Sequence, residues 1–443
     1  MTDTAPHMWR RTAALFTLAT ALLLGVVSPA GAAEAPQSLN VGWVSAWTAS
    51  PQPGDTGIPG FPPAAPLRNE TLRQVVRPHT SGTAVRVRLS NLFGDRPLTL
   101  GGATIARRTT GAAVDTSSVR QLTFMGRQSV TLAPGAEITS DPVPLALTAE
   151  RDMAVDLFLP QPTGVPTQHL EAAQTSYVST SGNHTGSASL PVGRTVSSWY
   201  FLTDVEVMSP AKSGLVTFGD SITDGTGSTP DANRRYPDRL ATGLAARPST
   251  SHLAVTNAGI GGGRLLHDRI GPRALDRFDR DVLSKPATRY VLVQIGINDI
   301  ALPNLLDPGE HVTADEIIAG YQQLIDRAHQ RGVTVYGATL LPVGGSFYDI
   351  PLNQQKRDDV NRWLRSSAGK PGGFDKVADF DAALRDPADP SRLLPAYDSG
   401  DHIHPSDSGH AAMASVAESL FVSTAQRGAG TADSPVLVPA GRS

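Results

Sequence analysis

A serine, an aspartate and a histidine have the types and local settings needed for nucleophilic catalysis. Ser221 follows an apolar run in the segment Gly219-Asp220-Ser221, and a hydroxyl at a strand-to-helix turn can present its oxygen at the edge of a sheet. Asp401 and His404 lie three residues apart in a polar segment. There the carboxylate can fix the imidazole tautomer, so that the other ring nitrogen faces a serine. The alternative is a purely structural role, in which Ser221 only caps a helix.

Two further segments offer hydrogen-bond donors after apolar runs. Residues 257–264 read NAGIGGGR, and glycines let a backbone approach a ligand closely. Arg264 stands where a dinucleotide fingerprint requires its third glycine, so the segment favours a small anion or a developing oxyanion instead. Asn298, in the segment GIND at 296–299, can donate its side-chain N–H to a negative oxygen or can cap its own turn.

The segment around Asp401 and His404 is also the best metal candidate in the chain, because it contains a second histidine, His402, and further aspartates. A zinc site needs a third or fourth ligand, however, and no other histidine cluster is visible. We therefore predict no metal and no other cofactor.

Composition excludes several classes of protein. The chain has 443 residues, no cysteine, and 38 Lys and Arg against 41 Asp and Glu, for a formal net charge of −3. A missing cysteine rules out disulfides, thiolate metal sites and a cysteine nucleophile, and the charge gives no electrostatic footprint for nucleic acid. The length predicts about two or three domains.

The N-terminus is typical of a targeting segment. Arg10 and Arg11 precede the uncharged apolar run 13–27, and Ala30-Gly31-Ala32 fits a signal peptidase site. We predict a secretory signal peptide at 1–32 and therefore a secreted protein, with the Sec or Tat route left open. A membrane anchor is the alternative, but the run is shorter than the roughly 20 residues that span a bilayer, so no stable membrane insertion is expected.

From residue 43 to 208 the sequence predicts a β domain. Val85, Val87 and Leu89 alternate with arginines, which places one set of side chains on a buried face. Turn-forming residues separate such runs, and a β-sandwich or jelly-roll-like domain follows. The proline-rich stretch 51–66 is expected to be an ordered loop or lid, since proline cannot donate to a β-ladder. Aromatic residues here could stack on sugars, although such residues are more often core; they are Trp43, Trp47, Tyr177, Trp199 and Tyr200.

From residue 213 to 423 apolar runs alternate with amphipathic segments, which predicts a doubly wound α/β domain with a parallel sheet. Ligands of such sheets bind beyond the carboxyl ends of the strands. The predicted strands are 215–218, 253–257, 290–295, 333–338 and 377–380. The predicted helices are 236–246, 274–283, 314–331, 353–366 and 408–421, with Thr313 and Asp407 as N-caps. The tail at 424–443 is predicted to be disordered.

These segments resemble the SGNH (GDSL-type) esterase family, whose four blocks occur here in order. They are Gly219-Asp220-Ser221, Asn257 through Gly262, Gly296 through Asp299, and Asp401 with His404. The resemblance implies a flavodoxin-like three-layer α/β domain without cofactor. It also implies that Ser221 is the nucleophile and that Asp401 orients His404 as the base. The N–H of Ser221, Gly262 and Asn298 would form the oxyanion hole, and His402 falls outside the family's spacing.

The resemblance implies a serine esterase that forms an acyl-enzyme on Ser221. Export and the large β domain favour a short acyl group, chiefly acetyl, on a carbohydrate, so the expected partner is a small ester or an acylated polysaccharide. The first alternative is a lipase or acylhydrolase of longer-chain esters, for which Ile58, Phe61 and Pro62-Pro63 could form a small hydrophobic cover. A non-catalytic carbohydrate-binding protein is the second. Nothing in the sequence predicts an oligomeric state.

Overall fold

The computed structural model of the chain describes residues 41–58, 61–210, 212–303 and 310–422. The predicted signal peptide at 1–32 and the predicted tail at 424–443 lie outside these residues. From residue 40 onward the chain forms one unit, so its antiparallel N-terminal part and its α/β C-terminal part can be described together. The predicted boundaries at 43–208 and 213–423 stay predictions.

Antiparallel strands make up the N-terminal part. Its strands are β1 (Val41–Thr48), β2 (Glu70–Val76), β3 (Gly82–Ser90), β4 (Leu98–Leu100), β5 (Gly102–Arg107), β6 (Arg120–Leu122), β7 (Val130–Leu132), β8 (Glu137–Thr139), β9 (Val143–Leu147), β10 (Met153–Leu159), β11 (Gln168–His169), β12 (Ser176–Ser181), β13 (Val192–Val196), β14 (Trp199–Tyr200) and β15 (Leu202–Pro210). One sheet has the order β1-β15-β3-β8, with β9 also paired to β3, and another has the order β13-β12-β2-β10-β5-β6.

The two larger sheets share one hydrophobic core. On β3, Val85, Val87 and Leu89 are fully buried, and they belong to the same cluster as Leu72 and Val155 of the other sheet. The alternation of apolar and polar residues along β3 therefore reflects burial of one face of the strand, as the sequence predicts, because successive side chains of a strand point to opposite faces. The predicted β-sandwich-like domain is confirmed as a mostly antiparallel β region.

Aromatic side chains of this region mostly serve its core. Trp47, Trp199 and Tyr200 are each at most 6% exposed, and the rings of Trp47 and Trp199 meet edge to face with centroids 4.8 Å apart. Such packing leaves these rings no free face for a sugar.

The C-terminal part is built on a parallel sheet of strands β16 (Ser213–Gly219), β17 (Leu253–Gly259), β18 (Thr288–Gln294), β19 (Thr334–Ala338) and β20 (Lys376–Ala378). Their order in the sheet is β17-β16-β18-β19-β20, which is the flavodoxin-like arrangement. Along β16, Leu215 joins one hydrophobic cluster and Val216 joins another. The sheet is therefore buried on both faces, as a three-layer α/β domain requires, and the predicted fold class is confirmed.

Helices cover both faces of this sheet. They are α1 (Ser221–Asp224), α2 (Tyr236–Ala245), α3 (Ala274–Phe278), α4 (Ile297–Ala301), α5 (Ala314–Gln330), α6 (Pro351–Ser367), α7 (Phe380–Leu384) and α8 (Asp407–Glu418). A π-helical turn, Asp279–Leu283, continues α3. Within the described ranges, no helix combines the length and the apolar character needed to cross a membrane.

Local capping chemistry agrees with the sequence at one helix and differs at another. Thr313 caps α5 as predicted, because its side chain accepts the N–H of Glu316. The prediction that Asp407 caps α8 is wrong, since Ser406 accepts the N–H of Gly409 there. The carboxylate of Asp407 instead accepts hydrogen bonds from Thr229, which lies far away in the sequence and is brought near only by folding.

Candidate active site

Ser221 lies directly beyond the carboxyl end of β16, the central position for a ligand in this fold. Asp220, not Ser221, caps the short helix α1, because its carboxylate accepts the N–H of Ile222. The capping interpretation of Ser221 is therefore wrong. Gly219 makes the sharp turn possible, since a Cβ at this position would lie 2.2 Å from the carbonyl oxygen of Gln294.

The structure brings the three predicted polar side chains into one chain of hydrogen bonds. Oγ of Ser221 lies 2.8 Å from Nε2 of His404, and Nδ1 of His404 lies 2.5 Å from Oδ2 of Asp401. Because a carboxylate only accepts, Nδ1 carries a proton, and Nε2 of a neutral ring is then free to accept from the serine.

Asp401 is held in place by the backbone of its own loop. Its Oδ1 accepts the N–H groups of Ile403 and His404. Partial burial would raise the pKa of this carboxyl, but the hydrogen bonds from the side chain and backbone of His404 outweigh that effect and hold the pKa well below its usual range. The carboxylate is thus charged throughout the pH range in which a histidine can act as a base.

The glycine-rich loop after β17 keeps one backbone N–H unpaired beside the serine. Ile260 N–H bonds to the carbonyl of Gly219, and Gly263 N–H bonds to the carbonyl of Ile260. Gly261 N–H is bound by Oδ2 of Asp224. The N–H groups of Gly262 and Ser221 have no acceptor among the described residues. Both residues line one pocket with His404, so these donors are available to an oxyanion there.

Gly262 cannot be replaced without disturbing this loop. Its φ is +66°, a left-handed conformation that favours glycine. A Cβ at this position would also lie 2.1 Å from Cδ1 of Ile270.

Asn298 follows β18 and is oriented at both ends of its amide. Its Nδ2 donates to the carbonyl of Gly263 at 3.0 Å, and its Oδ1 accepts from the hydroxyl of Tyr348 at 3.0 Å. One Nδ2 proton is left for the pocket, which Asn298 also lines. The predicted turn-capping alternative is thereby disfavoured.

A pocket of about 340 Å³ opens over the serine and has mainly apolar walls. Its lining residues are Ile58, Phe61, Glu171, Ser221, Gly262, Ile270, Asn298, Leu302, Phe347, Tyr348, Ile403 and His404. Ile58 and Phe61 come from the proline-rich stretch expected to be a loop or lid. Phe347 and Phe61 are 66% and 42% exposed, which is unusual for phenylalanine and marks the mouth of the pocket.

Sequence reasoning missed Glu171 and Tyr348, which no motif identifies. Glu171 belongs to the N-terminal part, and its Oε2 accepts from the hydroxyl of Thr226 at 2.5 Å. Burial, and then the charge of Asp224, raise the pKa of Glu171. It is the only acidic side chain that lines this pocket in the described part of the chain.

Two buried carboxyl groups flank the site. Burial raises the pKa of Asp299 to about 6, although its two oxygens accept the N–H groups of Leu265 and Leu266. Burial also raises the pKa of Asp220 to about 7, and its Oδ2 has no hydrogen-bond partner in the described ranges. Asp299 thus fixes the end of the glycine-rich loop, whereas burial disfavours the charged form of Asp220 beside the serine.

His402 does not join the site. Its Nδ1 contacts Oδ2 of Asp398 at 2.5 Å, and its side chain is 46% exposed. The residues that the structure describes contain no group of three or more metal-ligating side chains.

A flavodoxin-like sheet with a Ser–His–Asp arrangement at its carboxyl edge is typical of a hydrolase that uses a serine nucleophile. Residues 217–412 match the model of the GDSL-like Lipase/Acylhydrolase family. The C-terminal part of the chain is therefore a GDSL-like acylhydrolase domain, which makes the protein a carboxylic ester hydrolase, and the resemblance seen in the four motifs is confirmed. No curated protein sequence matches the chain.

Several solved structures resemble this part of the chain. An alpha/beta hydrolase enzyme from the metagenome of Lake Arreo, Spain, is 24% identical over 48% of this chain and 95% of its own, with a TM-score of 0.37. A variant of an acetyl xylan esterase from Geobacillus stearothermophilus is 22% identical over 47% and 94%, with a TM-score of 0.36. A GDSL-like lipase from Bacteroides thetaiotaomicron is 18% identical over 47% and 87%, also with a TM-score of 0.36.

Proposed function

We propose that the protein is an exported serine esterase that hydrolyses carboxylic esters through an acyl-enzyme on Ser221. The observation that carries this proposal is the unbroken hydrogen-bond chain from Ser221 through His404 to Asp401, which opens on a pocket of ligand size. The arrangement supplies a nucleophile, a base and an orienting acid within reach of one another.

In the first step Oγ of Ser221 attacks the ester carbonyl carbon while Nε2 of His404 takes its proton. The carbonyl oxygen becomes an oxyanion, for which the N–H groups of Ser221 and Gly262 and the Nδ2 of Asn298 are the available donors. Asp401 stabilises the imidazolium that forms. The tetrahedral intermediate collapses when His404 returns the proton to the leaving alcohol.

In the second step water replaces the alcohol. His404 takes a proton from the water, which attacks the acyl carbon, and a second oxyanion forms at the same donors. The intermediate collapses as His404 returns that proton to Oγ of Ser221 and the bond between Oγ and the acyl carbon breaks, which releases the carboxylic acid and restores the hydroxyl. No step needs a metal or another cofactor.

The walls of the pocket favour an apolar acyl group over acetyl. An acetyl group would leave most of the apolar wall beside Leu302, Ile270 and Phe347 in water, and burial of apolar surface contributes roughly 25 cal/mol per Å². A longer chain or an aromatic acyl group would cover that wall. We therefore favour the longer-chain acylhydrolase over the acetyl esterase of carbohydrate that the sequence favoured.

A series of p-nitrophenyl esters from acetate to decanoate tests both proposals. We expect kcat/KM to rise from acetate to butyrate or hexanoate, and Ser221→Ala to abolish hydrolysis of all of them. Ser228→Ala is the control, because among the described residues this buried serine bonds to the carbonyl of Gly225 alone. Highest activity on acetate, together with competition by acetylated xylan, would support the carbohydrate esterase. No activity on any ester would leave the carbohydrate-binding alternative.

Export rests on the sequence of residues 1–32 alone. We expect the protein recovered from the culture medium of the producing cell to begin near residue 33, as read by N-terminal sequencing. Retention of the full-length chain inside the cell would contradict export without affecting the esterase proposal.

A further inference from the structure

His169, from the N-terminal part, forms a buried bridge to the helix that begins with the proposed nucleophile. Its Nε2 lies 2.9 Å from Oδ1 of Asp224, the last residue of α1. Its Nδ1 lies 3.0 Å from the carbonyl oxygen of Ser50. The side chains of His169 and Asp224 are each only 4% exposed.

Both nitrogens of this imidazole face groups that can only accept a hydrogen bond. A neutral ring donates from one nitrogen only, so the ring must be doubly protonated to satisfy both partners. Burial lowers the pKa of His169, but the charge and hydrogen bond of Asp224 outweigh it and raise the pKa above its ordinary value. The bridge is therefore an imidazolium paired with a carboxylate.

The second oxygen of Asp224 reaches the glycine-rich loop. Oδ2 accepts the N–H of Gly261 at 2.9 Å, and Gly261 immediately precedes Gly262, whose N–H has no acceptor in the part of the chain that the structure describes. Rotation of the Asp224 carboxylate would therefore release the Ile260–Gly261 peptide unit, which directly precedes the unit that carries the N–H of Gly262. The bridge holds the carboxylate against such rotation.

Two further contacts join the N-terminal part to the same loop. Nε2 of Gln52 donates to the carbonyl of Ile270 at 3.2 Å, and Ile270 packs against Gly262. The carboxyl group of Glu171 lies over Gly261 so closely that a Cβ there would meet Cδ of Glu171 at 2.9 Å. The loop is thus held on both sides by residues outside the acylhydrolase domain.

We propose that His169 is a positioning residue that, through Asp224 and Gly261, sets the Gly262 N–H for the oxyanion, so that the N-terminal β region completes the catalytic site. This inference rests on the proposed function. It gives the β region a role in catalysis and does not require that region to bind substrate.

A second bridge between the two parts of the chain provides a matched control. The ring of His79 contacts carboxylates at both nitrogens, Glu150 at 2.8 Å and Asp238 at 3.0 Å. Asp238 belongs to α2 and lies outside the pocket over Ser221. His79 and His169 line the same small cavity, but the hydrogen bonds of His79 run to Glu150 and Asp238. Removing His79 therefore breaks a buried bridge of the same type and leaves the hydrogen bond between Asp224 and Gly261 in place.

Steady-state hydrolysis of p-nitrophenyl butyrate tests the proposal in the full chain, at a temperature below the Tm of every variant. We expect His169→Ala to lower kcat about 10- to 100-fold with KM within about threefold, because a misplacement of about 1 Å at a reacting centre can cost about a hundredfold. His169→Gln should recover part of kcat, since its amide can donate to Asp224. His79→Ala should lower Tm but keep kcat within about twofold.

Labelling of Ser221 by a fluorophosphonate, followed by mass spectrometry, gives a second readout because its tetrahedral adduct also places an oxygen at the donors. We expect His169→Ala to slow labelling in step with kcat. If His169→Ala and His79→Ala have the same kcat and labelling rate, the positioning role is overturned while the esterase stands. If the wild-type protein neither hydrolyses the ester nor is labelled, the proposed function is overturned, and the inference falls with it.

Discussion

Oγ of Ser221 and Nε2 of His404 are 2.8 Å apart, although 183 positions separate the two residues in the chain. The contact joins the turn after strand β16 to the loop before α8. Local hydrogen bonds anchor both the turn and the loop. In the turn, the carboxylate of Asp220 accepts the N–H of Ile222, and in the loop the carboxylate of Asp401 accepts the N–H of His404. The geometry therefore does not depend on a ligand.

Replacement of Asp401 by asparagine should lower kcat about 100- to 10,000-fold. The amide oxygen can still accept the two backbone N–H groups, which turns the NH₂ group toward Nδ1 of His404. That nitrogen must then accept, so the ring carries its proton on Nε2 and cannot take the proton of Ser221. Kinetics on p-nitrophenyl butyrate measure the loss.

The same loop contains the control for this substitution. Asp398 contacts Nδ1 of His402 at 2.5 Å and accepts two backbone N–H groups, those of Gly400 and His402, just as Asp401 does for His404. Asp398→Asn should change kcat by less than about threefold. Equal losses of kcat in Asp401→Asn and Asp398→Asn would mean that activity depends on the conformation of the loop and not on the orientation of His404.

Loss of the Tyr348 hydroxyl should reduce kcat by about 5- to 50-fold. Tyr348→Phe leaves the ring in the pocket wall but removes the hydrogen bond that orients the amide of Asn298. The effect should be smaller than that of Asn298→Ala, which deletes a donor outright and should cost on the order of a hundred- to a thousand-fold. A larger loss for Tyr348→Phe than for Asn298→Ala would show that the tyrosine acts directly on the substrate.

Glu171→Gln should change which esters the protein prefers. An ionised carboxylate in an apolar pocket repels a negative substrate strongly, because charges interact more strongly where water is excluded. At pH 8 we expect the wild-type protein to hydrolyse a p-nitrophenyl hemisuccinate far more slowly than the neutral butyrate. Glu171→Gln should narrow that ratio about tenfold or more, and an unchanged ratio would indicate that the side chain is neutral or turned away from the substrate.

Stability should fall as the pH rises from about 6.5 to above 9. Burial lowers the pKa of His79, but hydrogen bonds to Asp238 and Glu150 more than compensate and raise it to about 9. A raised histidine pKa gives stability that is complete below the unfolded value of about 6.5 and is lost as the pH passes the folded value. The free energy of unfolding, measured with urea, should be lower at pH 9.5 than at pH 6 by on the order of 1–3 kcal/mol. In His79→Gln this difference should be clearly smaller.

Asp220→Asn should stabilise the protein at high pH. Because burial raises the pKa of Asp220 to about 7, the folded state binds its proton more tightly than the unfolded state does, and stability falls as the pH rises from about 4 to about 7. The amide keeps an acceptor for the N–H of Ile222 and removes the buried charge. The Tm of the variant should exceed that of the wild-type protein at pH 8 but not at pH 4; the reverse order would mean that the carboxylate has a stabilising partner.

Much of this protein can be read from its sequence, because the signals are local. Period-two alternation marks strands such as β3, and apolar runs followed by polar turns mark the strands that end at Ser221 and Asn298. Since the carboxyl ends of parallel strands meet at one edge of a sheet, the sequence alone is enough to assign those motifs to one site. Boundaries were less exact: the expected strand 377–380 ends at Ala378, and Phe380 begins α7.

Only the tertiary structure decided which groups support that site from a distance. Tyr348, Glu171 and His169 belong to no motif, and each acts through a contact with a residue about 50 positions away. Periodicity reports whether a side chain is buried but not what it is buried against. The choice of Gly262 as the glycine with a free N–H also depends on Asp224 capturing Gly261. Local pattern determined the strands and the residues that we propose react, and packing between the two parts of the chain decided how those residues are held.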